Sequence, residues 1–167
     1  WASGTKLPDW HLVCETVARI AAERGITEAP PLPNEVLDIP FIWRAMEWAK
    51  PGGQITFALH ARLLFQQGDG MGEARQALFD ALDISSVING VELRQTKVWP
   101  EISAPFCLLF ATNRKPENSA GFRLVSPRIE SSLNESGIMR IDASNAEVIP
   151  ARELRETPEI LKILFRG

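Results

Sequence analysis

The sequence predicts an open α/β sheet in which parallel strands alternate with helices and one antiparallel pair closes an edge. Three observations carry this expectation. Apolar residues at helical spacing and short apolar runs of strand length alternate along the chain. The run Ile55 to Leu59 is too brief for a helix and polar at neither face, which suits a central parallel strand. A long excursion, Gly90 to Ala104, separates the last two strong candidates, so they are expected to pair antiparallel without a tight hairpin.

The elements follow in order. Between Asp9 and Gly25, Trp10, Val13, Cys14, Val17, Ile20 and Ala21 recur every three or four residues, which makes one helical stripe; Asp9 is a candidate cap and Gly25 a candidate stop. Thr27 to Leu37 carries Pro30, Pro31 and Pro33, which remove donors and fix dihedrals, and so reads as a loop. Asp38 then opens a second helix running to Lys50, with Phe41, Ile42, Ala45, Trp48 and Ala49 as its apolar face opposite Arg44 and Glu47. Pro51, Gly52 and Gly53 stop it. Ile55 to Leu59 is read as a central parallel strand, Gln66 to Gly72 as a glycine-rich loop, and Gly72 to Leu82 as a helix with Ala74, Leu78, Ala81 and Leu82 on one face. Ile84 to Asn89 is the next strand, and Phe106 to Thr112, an unbroken Phe-Cys-Leu-Leu-Phe-Ala run, is the strongest in the chain. Phe122 to Val125 is a weaker strand, Ile138 to Ile141 a short alternation, and a last helix is expected from Pro158 with Thr157 as cap.

Composition narrows the function. The 167 residues are 45% hydrophobic and 23% charged, with 21 acidic against 18 basic side chains and a net charge of -3. That suits one globular domain and excludes both a highly charged disordered chain and a basic nucleic-acid module whose affinity comes from bulk charge. Two cysteines and two histidines, Cys14, Cys107, His11 and His60, show neither a disulfide framework nor metal-ligand spacing, so no metal is expected. Apolar runs such as Phe106 to Ala111 fall far short of the roughly 20 residues that span a bilayer, and a cytoplasmic protein without a membrane partner is expected.

Few residues stand out for chemistry. His11 falls on a helix; His60 falls at the end of a strand, where open α/β sheets face their ligands, although a structural histidine is the ordinary outcome for both. Cys14 and Cys107 lie in apolar patterns and read as core. Gly68-Asp69-Gly70-Met71-Gly72 lacks the compact strand-to-turn form and the lysine of a phosphate loop, so it reads as an exposed loop. Asn134-Glu135-Ser136 matches a glycosylation acceptor without meaning for a cytoplasmic chain. Trp99, followed by Pro100 on the excursion, either offers a rigid face on which a base stacks or covers a hydrophobic edge.

The run from Phe41 through Lys50-Pro51-Gly52-Gly53 to Leu59 resembles the helix, Lys-Pro-Gly-Gly turn and fifth strand of class I S-adenosylmethionine-dependent methyltransferases. Val98-Trp99-Pro100 through Ala104-Pro105-Phe106-Cys107-Leu108-Leu109-Phe110 is similar to the aromatic loop and following strand of DNA adenine-N6 methyltransferases. The ending, from Ile141-Asp142 to Gly167, resembles the connection toward the target-recognition domain of restriction-modification members. The resemblance implies a Rossmann-like methyltransferase sheet truncated at its N-terminal side. Residues 1–126 would be the C-terminal half of the catalytic domain and residues 127–167 the connection. The chain starts at Trp1 without an initiator methionine, and Trp1 then looks like the aromatic residue of an Asn/Asp-Pro-Pro-aromatic catalytic motif; no other catalytic residue is expected within the chain. Trp1 and Trp99 would be the two faces that stack on a flipped adenine. S-adenosylmethionine would be the cofactor of the intact protein, yet nothing here matches its glycine loop or its ribose-holding acid, so no cofactor-binding residue is assigned. Double-stranded DNA, an N-terminal cofactor-binding half and a C-terminal recognition domain are the implied partners. The alternatives are another class I methyltransferase, sharing the same turn, or a non-catalytic binding or assembly module that keeps half the fold.

Overall fold

The first helix, α1 (Trp10–Glu23), forms where the sequence places its apolar stripe, and it buries Val17, Ile20 and Ala21. This computed structural model describes residues 8–68, 70–117 and 121–157. Asp9 sits at the N-cap position without a side-chain cap bond. At the other end Gly25 takes φ 75°, and the amides of Gly25 and Ile26 bond to the carbonyls of Ala22 and Ala21, which turns the chain out of the helix. Cys14, expected in the core, is exposed on α1, whereas Cys107 is buried.

The second helix, α2 (Asp38–Trp48), corrects the expected apolar face. Its buried stripe is Ile39, Ile42, Trp43 and Met46, while Phe41 and Trp48 are 52% and 65% exposed. The helix is apolar on most of its circumference, and the buried set has the i, i+3, i+4, i+7 spacing that one contact face requires. The Lys-Pro-Gly-Gly turn follows. Gly52 has φ 73°, and a Cβ on Gly53 would lie 2.9 Å from the Lys50 carbonyl, so both positions need glycine for backbone reasons.

The sheet has five strands: β1 (Gln54–His60), β2 (Asp83–Asn89), β3 (Phe106–Thr112), β4 (Gly121–Val125) and β5 (Ala146–Pro150), in the spatial order β1-β3-β2-β4-β5. Two short helices and one longer one fall between the strands: α3 (Arg62–Phe65), α4 (Met71–Ala81) and α5 (Ser131–Asn134); α6 (Ala151–Glu156) follows β5. The expectation that Ile55 to Leu59 is central and parallel is overturned. β1 is the terminal strand of the described sheet and runs antiparallel to β3. The β2–β3 pair is antiparallel as expected, β2–β4 is parallel and β4–β5 antiparallel, so the sheet is mostly antiparallel rather than parallel with one antiparallel edge pair. The physical reason lies in β3. Its apolar residues alternate between both faces without a polar break, so it suits a position hydrogen-bonded on both sides, whereas β1 shows Gln54, Thr56 and Ala58 to solvent.

One core lies between the helices and one face of the sheet. Ile20, Ile42, Trp43, Leu64, Met71, Leu78 and Ala81 meet Ile55, Leu59, Leu109, Ala111, Ile84, Val87, Leu124 and Ile149. The remaining elements also depart from expectation. The Ile138 to Ile141 alternation is not a strand; the strand is β5, a few residues later, paired along β4. The helix expected from Pro158 lies outside the described residues, and α6 precedes it.

Candidate functional site

Because β3 runs antiparallel between β1 and β2, the carboxyl ends of β1 and β2 emerge on the same side of the sheet, flanking the first residue of β3. His60, at the end of β1, is opposite Phe106, and Asn89, at the end of β2, is opposite Cys107. β4 is parallel to β2 and ends on the same side, bringing Ser126 to Asn89, whose Nδ2 donates to its Oγ at 3.3 Å. β1, β2 and β4 thus end on one side of the described sheet, where β3 begins.

The excursion after β2 closes over this edge. Asn89 Oδ1 accepts the Val91 amide at 3.0 Å, the Leu93 side chain is buried, and Thr96 Oγ1 donates to the Leu93 carbonyl at 2.6 Å. The Trp99 amide donates to the Thr96 carbonyl at 3.2 Å. These bonds deliver Trp99 onto Phe106, with ring centroids 4.6 Å apart and planes 22° from parallel. Phe106 in turn leans over Gly90, where a Cβ would meet its ring at 2.1 Å. Glycine at this place is therefore a condition of the aromatic stack. Trp99 itself is half-buried. Trp1, the expected second face, lies outside the described residues.

His60 is half-buried, and its Nδ1 accepts the backbone amide of Arg62 at 3.0 Å. Burial, assisted by Arg62 and opposed by Asp38, holds its pKa below the ordinary histidine value. Nearby, Arg62 Nε lies 3.5 Å from Asp38 Oδ2. Cys107 is no nucleophile: burial pushes its thiol up to about 12. His11 is exposed on α1 and has no part in the strand ends. Asn134 is buried, accepts the Glu130 amide and donates to the Ile138 carbonyl, so it ties a turn and is not available as an acceptor of sugar.

Phe106, Gly90 and Asn89 were missed as site residues by sequence reasoning. Phe106 reads as one more apolar strand residue until the register places it between two strand ends. A cavity of about 440 Å³ opens beside Asn89, lined also by Val91, Glu92, Ser126 and Arg128. Another, of about 460 Å³, lies between the proline loop, α4 and α6 and shares no residue with the strand ends. No three His, Cys, Asp or Glu side chains converge on a metal position among the described residues. No described helix is long and apolar enough to cross a membrane.

No protein-family model and no curated protein sequence matches the chain. Solved structures do. A type I restriction-modification system complex superposes with TM-score 0.57 at 12% identity, over 78% of this chain and 32% of its own. The type IIG restriction endonuclease BpuSI gives 0.61 at 11% identity, over 95% of this chain and 19% of its own. The methyltransferase subunit of a type I restriction-modification system from Streptococcus thermophilus gives 0.56 at 16% identity, over 79% and 30%. The chain thus has a fold similar to part of these restriction-modification proteins, one of them a methyltransferase subunit, and it spans between a fifth and a third of the length of their chains.

Proposed function

We propose that residues 1–126 are the C-terminal half of the catalytic domain of a DNA adenine-N6 methyltransferase of restriction-modification type, acting in the cytoplasm on double-stranded DNA. Residues 127–167 lead, in this reading, toward a target-recognition domain. The observation that carries it is the Trp99–Phe106 stack, seated where β3 begins between the carboxyl ends of β1 and β2. Further support comes from the fold shared with restriction-modification proteins.

The chemistry explains why such a stack is useful. Adenine N6 is a poor nucleophile because its lone pair is delocalised into the ring, and within a duplex it is out of reach, so the base is extruded into a pocket. Trp99, held rigid against Phe106, then offers an aromatic face; stacking of this kind contributes about 1–3 kcal/mol per base. The acceptors for the amino hydrogens belong to the catalytic motif in which Trp1 is read as the aromatic residue. S-adenosylmethionine supplies an electrophilic methyl group in this class. We assign no cofactor cradle to this chain: Gly68 and Gly70 precede α4 rather than following a strand, and Gly70 is backed by Pro31, whose Cβ is 3.1 Å from the Gly70 Cβ position. The cofactor's contacts therefore belong to the other half of the domain, and what this chain contributes is reception and orientation of the base.

The test uses the intact protein with a labelled methyl donor and a duplex whose target adenine faces a mismatch, which eases extrusion. Trp99→Ala is expected to weaken base binding by about 1–3 kcal/mol and Trp99→Phe to retain most of it. Normal turnover by a folded Trp99→Ala protein would remove the stacking role.

A further inference from the structure

We propose that His60 is a hydrogen-bond donor to the flipped base, presenting its Nε2–H beside the Trp99–Phe106 stack to a ring nitrogen of adenine. The inference rests on the methyltransferase reading and adds to it a residue that determines which base is accepted.

The argument is geometric. Directly opposed residues of an antiparallel pair project to the same face of the sheet, so His60 and Phe106 are neighbours on one face, and Trp99 lies on Phe106. In this proposal a base stacked on Trp99 lies with one edge toward the end of β1, where His60 stands opposite Phe106. The imidazole there is fixed, since Nδ1 accepts the Arg62 amide at 3.0 Å and so cannot itself carry the proton. The neutral ring must then hold its hydrogen on Nε2. No group among the described residues accepts that hydrogen, and Nε2 is not enclosed. His60 is thus a donor of fixed tautomer without a partner among the described residues, at the end of β1 and opposite the aromatic Phe106. The lowered pKa of the ring agrees with the neutral form.

The complementary group is an acceptor. Adenine offers N1, N3 and N7 as ring acceptors, and a base that presents an N–H at the contacted position, as guanine does at N1, is met by two opposed donors. His60 therefore contributes discrimination as well as affinity, because an unmatched donor in a closed site is penalised.

The experiment compares duplexes carrying adenine, 1-deazaadenine, 3-deazaadenine or 7-deazaadenine at the target, bound to the intact wild-type protein and to His60→Phe, which keeps an aromatic ring without a donor. Wild-type protein is expected to lose about threefold to tenfold in affinity for the one analogue that lacks the contacted nitrogen. His60→Phe is expected to bind adenine that much more weakly and to be indifferent to the same analogue. His60→Gln, whose amide donates, is expected to recover part of the discrimination; it also serves if His60→Phe has a lowered Tm. Identical analogue profiles in wild type and variants, with adenine still bound and methylated, overturn the role of His60 and leave the enzyme reading intact. Absence of any adenine preference or methylation by the wild-type protein overturns both.

Discussion

Asn113 is one residue past β3, yet it is the point where three elements are tied together. Its Nδ2 donates to the carbonyls of Met46, Ala49 and Lys50, filling the acceptors left open at the end of α2. Its Oδ1 accepts from Arg24, which also reaches the carbonyls of Met46 and Ala81, and burial holds the Arg24 pKa below its ordinary value. Asn113→Ala leaves those buried carbonyls unmatched and is expected to cost about 2–4 kcal/mol, read as a lower urea midpoint at unchanged slope. Asn113→Asp should also destabilise the protein, because the amide donors are replaced by acceptors facing carbonyls. His60 gives a pH dependence of definite sign. Its folded-state pKa is below the unfolded value of 6.5, so as pH falls through 6.5 the unfolded chain binds the proton first and stability is lost. Thermal unfolding followed from pH 8 to pH 5 is expected to show this fall in wild type and a flatter profile in His60→Gln.

At the scale of elements, the Lys-Pro-Gly-Gly turn and the excursion after β2 owe their sequences to different needs. The turn is at the amino end of β1, away from the aromatic stack, and its Gly52 amide and Gly53 carbonyl are bonded to the backbone of Asn113. Its glycines serve chain reversal. The excursion serves placement of Trp99, and Gly90 is its most sensitive position. Gly90→Ala, permitted by a φ of -94°, drives a methyl into the Phe106 ring and is expected to cost about 1–3 kcal/mol while shifting the Trp99 emission. In the reading proposed above, base binding should fall further than stability in that variant. Helices α1, α2 and α4 and the three strongest strands were legible in the sequence because each has its own period or an apolar run, whereas the short α3, α5 and α6 have neither. The face of α2 was not legible, since Phe41 and Trp48 are as apolar as Ile39 and Met46 and only packing against α1 and the sheet decides between them. β5 was hidden for a similar reason: Val148 is 66% exposed and Glu147 is polar, so the strand is made by pairing with β4 rather than by a pattern of its own. His60 was visible at a strand end and Trp99 on the excursion, whereas the place of Phe106 beside them came only from register and that of Gly90 only from the packing of the Phe106 ring.

Seen as one molecule, the described residues form a helical layer on one side of a five-stranded sheet, and the other side of β1 and β3 presents Thr56, Ala58, Leu108 and Phe110 with partial or full exposure. In the reading proposed above, the preceding half of the domain supplies the cofactor's contacts. The 167 residues alone are therefore expected to give no saturable heat with S-adenosylmethionine in titration calorimetry, and clear binding would mean that the cradle has been misassigned. The order β1-β3-β2 has one more consequence, which concerns the birth of the protein. Gln54 pairs with Thr112 and Asp83 pairs with the same residue, so neither of the two earlier strands has its lateral neighbour until β3 has been synthesised. During translation both must wait unpaired for a strand that enters between them, a late long-range step that favours slow assembly.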